Sequence, residues 1–358
     1  MANVKIFAKT IEPEAVAQVE ELVAQEAFKD CKIRIMPDAH VGKGCVIGFT
    51  ADLGDMVIPN IVGVDIGCGM LTHELGKQEI DFDRLDWVIR KFIPSGREVH
   101  KERTIRYPRL LDLKCFKELR NTKRFEQSIG TLGGGNHFIE IDRDDSGYMY
   151  FIIHTGSRNL GKQVADYYQR LAYDLMRDKG MNIPRDLCYL TGKYRDMYLH
   201  DMKICQDFAE LNRKTIADII IDKMAWTSHS SFHTIHNYID LESNIVRKGA
   251  IRALKGERLL IPINMRDGCI LGVGKGNGDW NYSAPHGAGR ILSRTEAKRL
   301  LKLDEYKKTM SKVYTSSVSM ATLDEAPMAY KGLDEIVDTI TDTVDIEAIL
   351  KPVYNFKA

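Results

Sequence analysis

The sequence has no long apolar run, and its charges nearly cancel. No apolar segment approaches the roughly 20 residues that a membrane-spanning helix requires, so we expect no membrane anchor. The 51 lysines and arginines against 50 aspartates and glutamates leave a formal net charge of +1. This balance argues against a global electrostatic attraction to nucleic acid, although a local basic surface stays open.

The seven cysteines are scattered singly, and no Cys-x-x-Cys pair occurs. An odd number without paired spacing argues against a disulfide framework and against a zinc ribbon. The first residues carry several glutamates and no apolar core, so we expect no signal peptide. These features together predict a protein of the reducing cytoplasm.

Common nucleotide and zinc motifs are also missing. The sequence contains neither a Walker A phosphate loop nor a dinucleotide-binding glycine fingerprint. His229 and His233 are spaced for one face of a helix together with His236, but no glutamate follows His229, so the metalloprotease motif is lacking. We expect His229 and His233 to be peripheral.

Short apolar runs alternate with amphipathic segments along the whole chain. Strands are predicted over 3–9, 32–36, 45–50, 56–58, 61–64, 148–154, 259–263 and 269–273. Helices are predicted from Pro13, over 82–92, 162–177 and 201–225, and after the Ser293–Glu296 capping box. We expect an α/β fold of mixed (α/β or α+β) type, forming one domain over residues 1–358, with loops that bring side chains to one cleft.

Ligand-type side chains lie on glycine-rich turns. Asp65 and Cys68 are three residues apart in Gly63-Val64-Asp65-Ile66-Gly67-Cys68-Gly69, where both side chains can face one point. The other candidate ligands are three histidines: His137, His154 and His236. A thiolate can bridge two cations at about 4 Å, a spacing that suits phosphoryl chemistry. Mixed oxygen, nitrogen and sulfur donors disfavour magnesium and calcium and accept manganese, zinc, cobalt or iron.

Each of these residues taken alone has a simpler interpretation. Cys68 would be a small buried hydrophobe, and each histidine a hydrogen-bonded core residue. The five residues together favour a metal centre. His40, in the turn-forming segment 36–44, could line the same cleft or be an ordinary loop histidine.

A second chemical candidate is Pro285-His286-Gly287-Ala288-Gly289-Arg290. Its Gly-x-Gly backbone can offer N–H groups to a phosphate, and Arg290 can bind phosphate oxygens with two nitrogens. His286 can act there as a general base or as a covalent nucleophile. Attack by its imidazole at phosphorus would give a labile phosphoramidate that can pass a nucleotidyl group onward.

Residues 90–124 hold twelve Lys or Arg against four Asp or Glu. One interpretation is a solvated, partly disordered loop; the other is a binding surface for a phosphate backbone. Charge alone favours the first.

These motifs resemble those of the RtcB family of RNA-splicing ligases. The similar blocks run in the family's order over nearly the whole chain: 36–44, 63–70, 130–140, 154–161, 236–237, 247–250, 286–290 and 324–331. The resemblance implies a compact ligase fold with a deep cleft, two Mn²⁺ ions and GTP as cofactor. It implies Asp65, Cys68 and His137 as ligands of one ion, and Cys68, His154 and His236 as ligands of the other.

The resemblance also assigns roles in catalysis and nucleotide binding. His286 would become guanylylated, Arg158 would lie at the reacting phosphate, and Asp38 belongs with them in the catalytic set. The implied nucleotide contacts are Asn136, His137, Phe138, Ile139, Glu140, His236, Asn237, Asn264, Met265, His286, Gly287, Ala288, Gly289 and Lys357. For Lys357, a frayed surface lysine is the alternative.

The implied reaction joins RNA 3′-phosphate or 2′,3′-cyclic phosphate ends to 5′-hydroxyl ends through a histidine–GMP intermediate and an RNA(3′)pp(5′)G intermediate. Broken or spliced tRNA or rRNA would be the substrate, and we expect a monomer. The family's glycine-serine-methionine loop is replaced by Ile263-Asn264-Met265-Arg266, which leaves nucleotide preference open. Two alternatives are a metal-dependent RNA phosphodiesterase and an inactive RNA-end-binding protein.

Overall fold

The computed structural model describes residues 3–357, which form a mixed arrangement of sheets and helices. The strands are β1 Asn3–Ile6, β2 Lys32–His40, β3 Ile47–Asp52, β4 Met56–Val57, β5 Gly69–Gly76, β6 Phe138–Arg143, β7 Met149–Thr155, β8 Leu190–Thr191, β9 Ser230–Ile235, β10 Asn237–Ile239, β11 Ile245–Lys248, β12 Ala250–Arg252, β13 Arg258–Asn264, β14 Gly268–Gly274, β15 Ser283–Pro285 and β16 Val344–Lys357. The helices are α1 Pro13–Val23, α2 Pro59–Val62, α3 Phe82–Phe92, α4 Lys123–Gln127, α5 Arg158–Asp178, α6 Gly192–Met224, α7 Arg294–Leu300, α8 Leu303–Thr309 and α9 Leu333–Ile340.

The larger sheet has seven strands in the order β13-β14-β16-β6-β7-β5-β9. Every neighbouring pair in it is antiparallel. The beginnings of β5 and β6 therefore lie at the same end of the sheet as the ends of β7 and β9. The loops at this end carry the candidate ligands.

The second sheet has five strands in the order β1-β2-β3-β11-β10. Only β1 and β2 run parallel, and the remaining pairs are antiparallel. Its strands pack with α1, α2, α5 and α6 in the largest apolar core, and a second core lies between the larger sheet, α3 and α6. The expected mixed α/β class is confirmed, with antiparallel pairing dominant.

Helix α6 has 33 residues, about 50 Å at 1.5 Å per residue. It contacts α3, α5 and strand β7, and its buried residues recur along its whole length. A helix shared by both cores can set the position of loops from distant parts of the chain.

Two local predictions were wrong. Residues 61–64 were expected as a strand, but Pro59–Val62 form the short helix α2, all four residues of which are buried. Periodicity cannot distinguish a strand from a buried helical turn over so few residues, and Pro59 favours a helical start. The second error is the helix through His233, which instead lies in β9, where residues four apart also share a face.

The basic stretch 90–124 is ordered rather than a disordered loop. It contains the 3₁₀ turns Pro108–Asp112 and Phe116–Glu118. The fully buried carboxylate of Asp201 on α6 accepts hydrogen bonds from the backbone N–H groups of Lys114 (2.8 Å) and Cys115 (3.0 Å), and from the Tyr168 hydroxyl (2.8 Å). One buried side chain thus fastens the stretch to the core.

Among residues 3–357, every helix is too short or too polar to cross a lipid bilayer.

We predict that Asp201→Ala lowers the free energy of unfolding by about 3 kcal/mol, because it leaves buried donors without acceptors. Urea denaturation followed by circular dichroism measures this change. Asp222→Ala, on an exposed position of the same helix, is the matched control and should stay within about 0.5 kcal/mol of the parent. Equal losses in the two variants would contradict the anchoring role of Asp201.

Candidate metal centre and nucleotide cavity

Five ligand-type side chains meet at one end of the seven-stranded sheet. The Sγ atom of Cys68 lies 3.5 Å from His137 Nε2 and 3.4 Å from His154 Nε2. His137 Nε2 is 3.0 Å from Asp65 Oδ2, and His154 Nε2 is 3.4 Å from His236 Nε2. The donors form two groups that share Cys68, the first with Asp65 and His137 and the second with His154 and His236. The structure brings together the two ligand sets that the family resemblance implied.

Hydrogen bonds behind the imidazoles orient their lone pairs. Nδ1 of His137 lies 2.8 Å from the Leu132 carbonyl oxygen, and Nδ1 of His154 lies 3.1 Å from that of Asn136. A carbonyl accepts only, so each Nδ1 carries the proton and each Nε2 of a neutral ring carries a lone pair. Lone pairs of two histidines therefore face the Cys68 sulfur.

Burial keeps His154 and His236 in the neutral form that a metal requires of imidazoles. It lowers the pKa of His154 and of His236 well below the usual value, and the neighbouring histidines lower both further. Burial and the Asp65 carboxylate raise the pKa of the Cys68 thiol. Holding Cys68 as thiolate therefore requires a cation beside it.

The residues present fit a pair of divalent cations bridged by sulfur. The spacings of 3.0–3.5 Å are those of ligand atoms around ions with bonds of about 2.0–2.3 Å. The single S–H of a protonated Cys68 can donate to only one of these nitrogens, so a cation would relieve the repulsion among the remaining lone pairs. The donor set disfavours magnesium and calcium, which prefer oxygen.

Two buried residues of α6 hold the ligand loops, and sequence reasoning missed both. Nη1 of Arg213 donates to the carbonyl oxygens of Gly67 and Thr155, each at 2.8 Å. Oδ1 of Asn212 accepts from the N–H groups of Gly130 and Thr131 at 2.8 and 3.1 Å. Both residues lie in a helix whose buried face the sequence pattern assigns to the apolar core. The one clue to their role in the sequence was that polar residues, Asn212 and Arg213, fall on that apolar face.

The loop before α5 fixes Asp65. The Ser157 N–H donates to Asp65 Oδ1 at 3.0 Å, and a Cβ on Gly156 would overlap the Asp65 carboxylate. Arg158, the next residue, has a positive φ of 56°. Its guanidinium donates to the Thr131 hydroxyl at 3.2 Å and to the Gly96 carbonyl at 3.0 Å, which links the centre to the start of the basic stretch.

His286 is positioned by Asp38. Oδ2 of the fully buried Asp38 lies 2.6 Å from His286 Nδ1 and also accepts from the backbone N–H groups of His286 and Gly287. This arrangement places the proton on Nδ1 and leaves the lone pair on Nε2. The His286 and His236 rings are 4.8 Å apart between centroids, so the candidate nucleophile adjoins the metal centre.

A cavity of about 540 Å³ opens beside His286. Its lining includes these predicted nucleotide contacts: Asn136, Phe138, Glu140, Asn264, Met265, His286, Gly287, Ala288, Gly289 and Lys357. His40 lines it too, and burial lowers the pKa of this imidazole to about 4.

Some predicted nucleotide contacts do not line this cavity. Ile139 points to the opposite face of β6, into the second core. His137 and His236 lie at the metal centre. Asn237 holds the metal loop instead, since its amide donates to the Asp65 carbonyl oxygen at 3.2 Å.

Arg290 does not offer the free guanidinium that the sequence suggested. Its three nitrogens donate to the Leu292 carbonyl, the Tyr330 hydroxyl and the Asp324 carbonyl. Arg290 therefore holds the 324–330 segment against the cavity.

Lys357 is not a frayed surface residue. It is 8 % exposed, and its ammonium pairs with the Glu325 carboxylate at 2.5 Å. Burial alone would raise the pKa of Glu325, but Lys357 and Arg294 lower it to about 2. Lys357 pairs with Phe138 across β16 and β6, which brings the end of β16 to the cavity wall.

Comparison of the sequence with known proteins matches the chain to one family. The family model described as "tRNA-splicing ligase RtcB" matches residues 18–358. The chain belongs to the RtcB family. The RNA-splicing ligase RtcB of Escherichia coli (strain K12) is 30% identical over 404 aligned residues, covering 98% of this chain and 96% of that protein. The tRNA-splicing ligases RtcB of Nanoarchaeum equitans and Pyrobaculum aerophilum are 28% and 27% identical, covering 88% and 85% of this chain and 85% and 82% of those proteins.

Membership in the RtcB family identifies the chain as a member of a family of RNA ligases, and its mixed α/β fold is consistent with that family. The buried groups of His, Cys and Asp are of the kind that a metal-dependent ligase needs.

We predict that Gly156→Ala weakens binding of a divalent cation about tenfold or more, because the added methyl displaces Asp65. Isothermal titration with Mn²⁺ measures the affinity. Gly332→Ala is the control, since a Cβ there meets open space. Unchanged affinity in Gly156→Ala would exclude Asp65 as a ligand.

Proposed function

We propose that this RtcB-family chain is a GTP- and Mn²⁺-dependent ligase that joins RNA 3′-phosphate or 2′,3′-cyclic phosphate ends to 5′-hydroxyl ends. The observation that carries the proposal is His286, oriented by Asp38 and bordering both the cavity and the sulfur-centred ligand group. A nucleophile, a nucleotide-sized cavity and a metal centre in contact are what guanylyl transfer requires.

Asp65, Cys68 and His137 would hold one ion, and Cys68, His154 and His236 the other. Bound there, the ions would neutralise phosphate charge and polarise the phosphorus that is attacked. The family name does not specify the metal, and the thiol, imidazole and carboxylate donors are compatible with manganese.

His286 has the geometry of a nucleophile. Its Nε2 lone pair attacks the α-phosphorus of GTP, the bond from that phosphorus to the bridging oxygen breaks, and pyrophosphate leaves. The imidazole then carries positive charge, which the Asp38 carboxylate at Nδ1 stabilises. Asp38 thereby also keeps Nδ1 from competing as the attacking atom.

The remaining steps exchange one phosphate bond for another. A 2′,3′-cyclic phosphate end would first be opened by water, which breaks the bond to the 2′-oxygen and leaves a 3′-phosphate. An oxygen of the RNA 3′-phosphate attacks the phosphorus of the histidine adduct and the nitrogen–phosphorus bond breaks, which gives RNA(3′)pp(5′)G. The 5′-hydroxyl oxygen of the second RNA end attacks the activated RNA phosphate, GMP leaves and the hydroxyl proton is released. Arg158, half-buried beside Asp65, is suited to bind the reacting phosphate.

The cavity wall supports recognition of a purine base. Glu140 and Asn355 pair across β6 and β16, and Lys357 lies beside them. Carboxylate, amide and ammonium groups together offer acceptors and donors for a guanine edge. In the loop Ile263-Asn264-Met265-Arg266, Asn264 and Met265 both line the cavity, and the Asn264 amide also closes its own turn on Asp267.

A metal-dependent phosphodiesterase is the second enzymatic candidate, since the same ions could activate water. An inactive RNA-end-binding protein is the third. The Asp38–His286 pair favours the ligase, because simple hydrolysis by two ions needs no oriented imidazole in a nucleotide cavity.

We predict that incubation with α-³²P-labelled GTP and Mn²⁺ labels the protein covalently with GMP. His286→Ala should abolish labelling, and Asp38→Asn should slow it about a hundredfold, because the imidazole loses its orientation and charge partner. Denaturing electrophoresis measures the adduct.

His229→Ala, which changes a histidine outside the cavity, is the control and should label normally. Lack of any adduct together with GTP-independent cleavage of RNA would establish the phosphodiesterase. Lack of both adduct and turnover, with RNA ends still bound, would establish the binding protein.

We further propose that the basic stretch is part of the RNA path. Gly96 lies at its start and contacts both Arg158 and the carbonyl of Gly133, so the stretch begins at the reacting centre. Arg103 and Arg109 pair with Glu126 and Asp207, whereas Arg106 is exposed and forms no ion pair within residues 3–357.

We predict that alanine at Arg103, Arg106 and Arg109 weakens RNA binding and flattens its salt dependence, by about 0.7 in log–log slope for each lost phosphate contact. Arg106→Ala should have the largest single effect, since the other two arginines are shared with carboxylates. Fluorescence anisotropy across a salt series measures both quantities. The control replaces Lys9, Lys29 and Lys351, which lie outside the stretch, by alanine. If all the proteins showed the same salt dependence of RNA binding, the stretch would not contact the RNA.

A further inference from the structure

An aromatic side chain is exposed on α3 beside a group of cations. Trp87 is 54 % exposed, although tryptophan is among the side chains that bury most area on folding. Of the other two tryptophans, Trp226 packs against the second core and Trp280 is buried in a stack with Phe7. The exposure of Trp87 is therefore an exception within this protein.

Neighbouring side chains hold the Trp87 ring in one orientation. Phe92, at the end of α3, contacts it edge-on, with the ring centroids 5.9 Å apart and the planes at 81°. Lys91 Nζ lies 4.3 Å from the centroid of the Trp87 ring, and Lys223 Nζ at the end of α6 lies 5.6 Å from that of Phe92. A flat apolar surface with two ammonium groups beside it therefore faces solvent.

This side of α3 is cationic. Arg84, Trp87 and Lys91 are three and four residues apart, so they lie along one side of the helix, and all three are exposed. The Arg84 guanidinium donates to the Lys223 carbonyl oxygen at 2.7 Å, which joins this side of α3 to the end of α6. Asp222 pairs with Lys223 at 3.0 Å and offsets one of the three positive charges.

The carboxylates in the middle of α3 have partners on another side of the helix. Asp83 accepts a hydrogen bond from the Tyr314 hydroxyl. Asp86 accepts from the Tyr354 hydroxyl at 3.0 Å and pairs with Arg90 at 2.8 Å. Their negative charge is therefore directed towards the C-terminal strand and away from the exposed tryptophan.

The chain leads from this surface directly to the reacting centre. Beyond α3, the Pro94 carbonyl accepts from the Leu132 N–H at 2.9 Å, and the Gly96 carbonyl accepts from Arg158 at 3.0 Å. From Trp87 to Gly96 the chain spans at most about 21 Å, at 1.5 Å per helical and about 3.4 Å per extended residue. About six stacked nucleotides, at 3.4 Å each, cover this distance.

We propose that Trp87 stacks on an unpaired base of the RNA strand whose end is held at the reacting centre, with Lys91 and Lys223 on neighbouring phosphates. This inference rests on the proposed RNA substrate. A single strand fits the surface because its bases are free to stack and each nucleotide carries a negative charge. An exposed aromatic ring flanked by ammonium groups is complementary to both.

Lys91 does not block the ring. Its ammonium lies on a flexible four-carbon stem, and a cation–π contact at an exposed site is weaker than stacking of a base on an aromatic ring. A base therefore displaces the ammonium, which moves to the phosphate next to that base. The edge contact with Phe92 keeps the Trp87 ring in place meanwhile.

The test is binding of a single-stranded oligoadenylate of about twelve nucleotides with a 3′-phosphate, without GTP so that no joining occurs. Trp87→Leu keeps an apolar side chain but removes the aromatic face, and should weaken binding about tenfold. Trp87→Phe should stay within about threefold of the parent, since it keeps an aromatic face. Fluorescence anisotropy measures the affinity. Equal affinity in Trp87→Leu and the parent would overturn the proposal and favour a protein ligand for this surface.

A blunt RNA duplex of the same length is the matched probe, because its bases are paired and cannot stack on a side chain. Trp87→Leu should bind the duplex as the parent does. An equal loss of affinity for duplex and single strand would mean that Trp87 contacts RNA without stacking, which would also overturn the proposal.

Tryptophan emission gives a second readout. The single strand should quench part of the emission of the parent, and the quenching should be lost in Trp87→Phe. Trp226→Phe, which changes a half-buried tryptophan, is the control and should keep the quenching. Quenching of the same size in Trp87→Phe would place the contact at another tryptophan and refute the stacking role of Trp87.

Covalent labelling of the parent with GMP, which needs no RNA, separates this inference from the proposed function. A parent that forms no adduct would refute the ligase mechanism, while the Trp87 variants still report the RNA contact. A parent that forms the adduct, with RNA affinity unchanged in Trp87→Leu, would refute the stacking role alone.

Discussion

Three imidazoles, one carboxylate and one sulfur converge at a single end of an antiparallel sheet. The surrounding residues of the site hold these five groups in place through hydrogen bonds and packing. Their nitrogens face each other and the Cys68 sulfur at about 3.5 Å because carbonyl groups behind His137 and His154 fix the rings. Such a collection of lone pairs is unfavourable by itself and favourable around cations. The surrounding fold supplies the rigidity to hold it.

Much of that rigidity comes from one helix. Within α6, Arg213 holds the ends of the Asp65–Cys68 loop and of β7, Asn212 holds the loop before His137, and Asp201 holds the basic stretch. These three side chains are buried, and each satisfies backbone groups of irregular segments that would otherwise lack partners. The loops that carry the candidate ligands are therefore irregular in conformation but held firmly by hydrogen bonds.

The sequence indicated much of this site in advance, for identifiable reasons. Asp65 and Cys68 share one glycine-rich turn, so their proximity is a local property. The sequence groups the three histidines with Asp65 and Cys68 only through their chemical type and the family resemblance. The structure brings all five side chains together. Local patterning failed at Pro59–Val62 and at His233, where a short run fits either a strand or a helix. The sequence motif also predicted that the Arg290 guanidinium would be free to bind phosphate. In the structure, the guanidinium donates hydrogen bonds to residues 324 and 330 instead.

The sequence by itself determined the mixed fold class, the chemistry of the ligand set and the histidine loop, since these follow from residue type, spacing and family resemblance. Only the tertiary structure decided that Asp38 lies behind His286, that Lys357 is buried against Glu325, and that Arg213 of α6 holds the carbonyl of Gly67. Each of these pairs joins residues far apart in the chain. Strand pairing and helix packing set such contacts, and no local pattern encodes them.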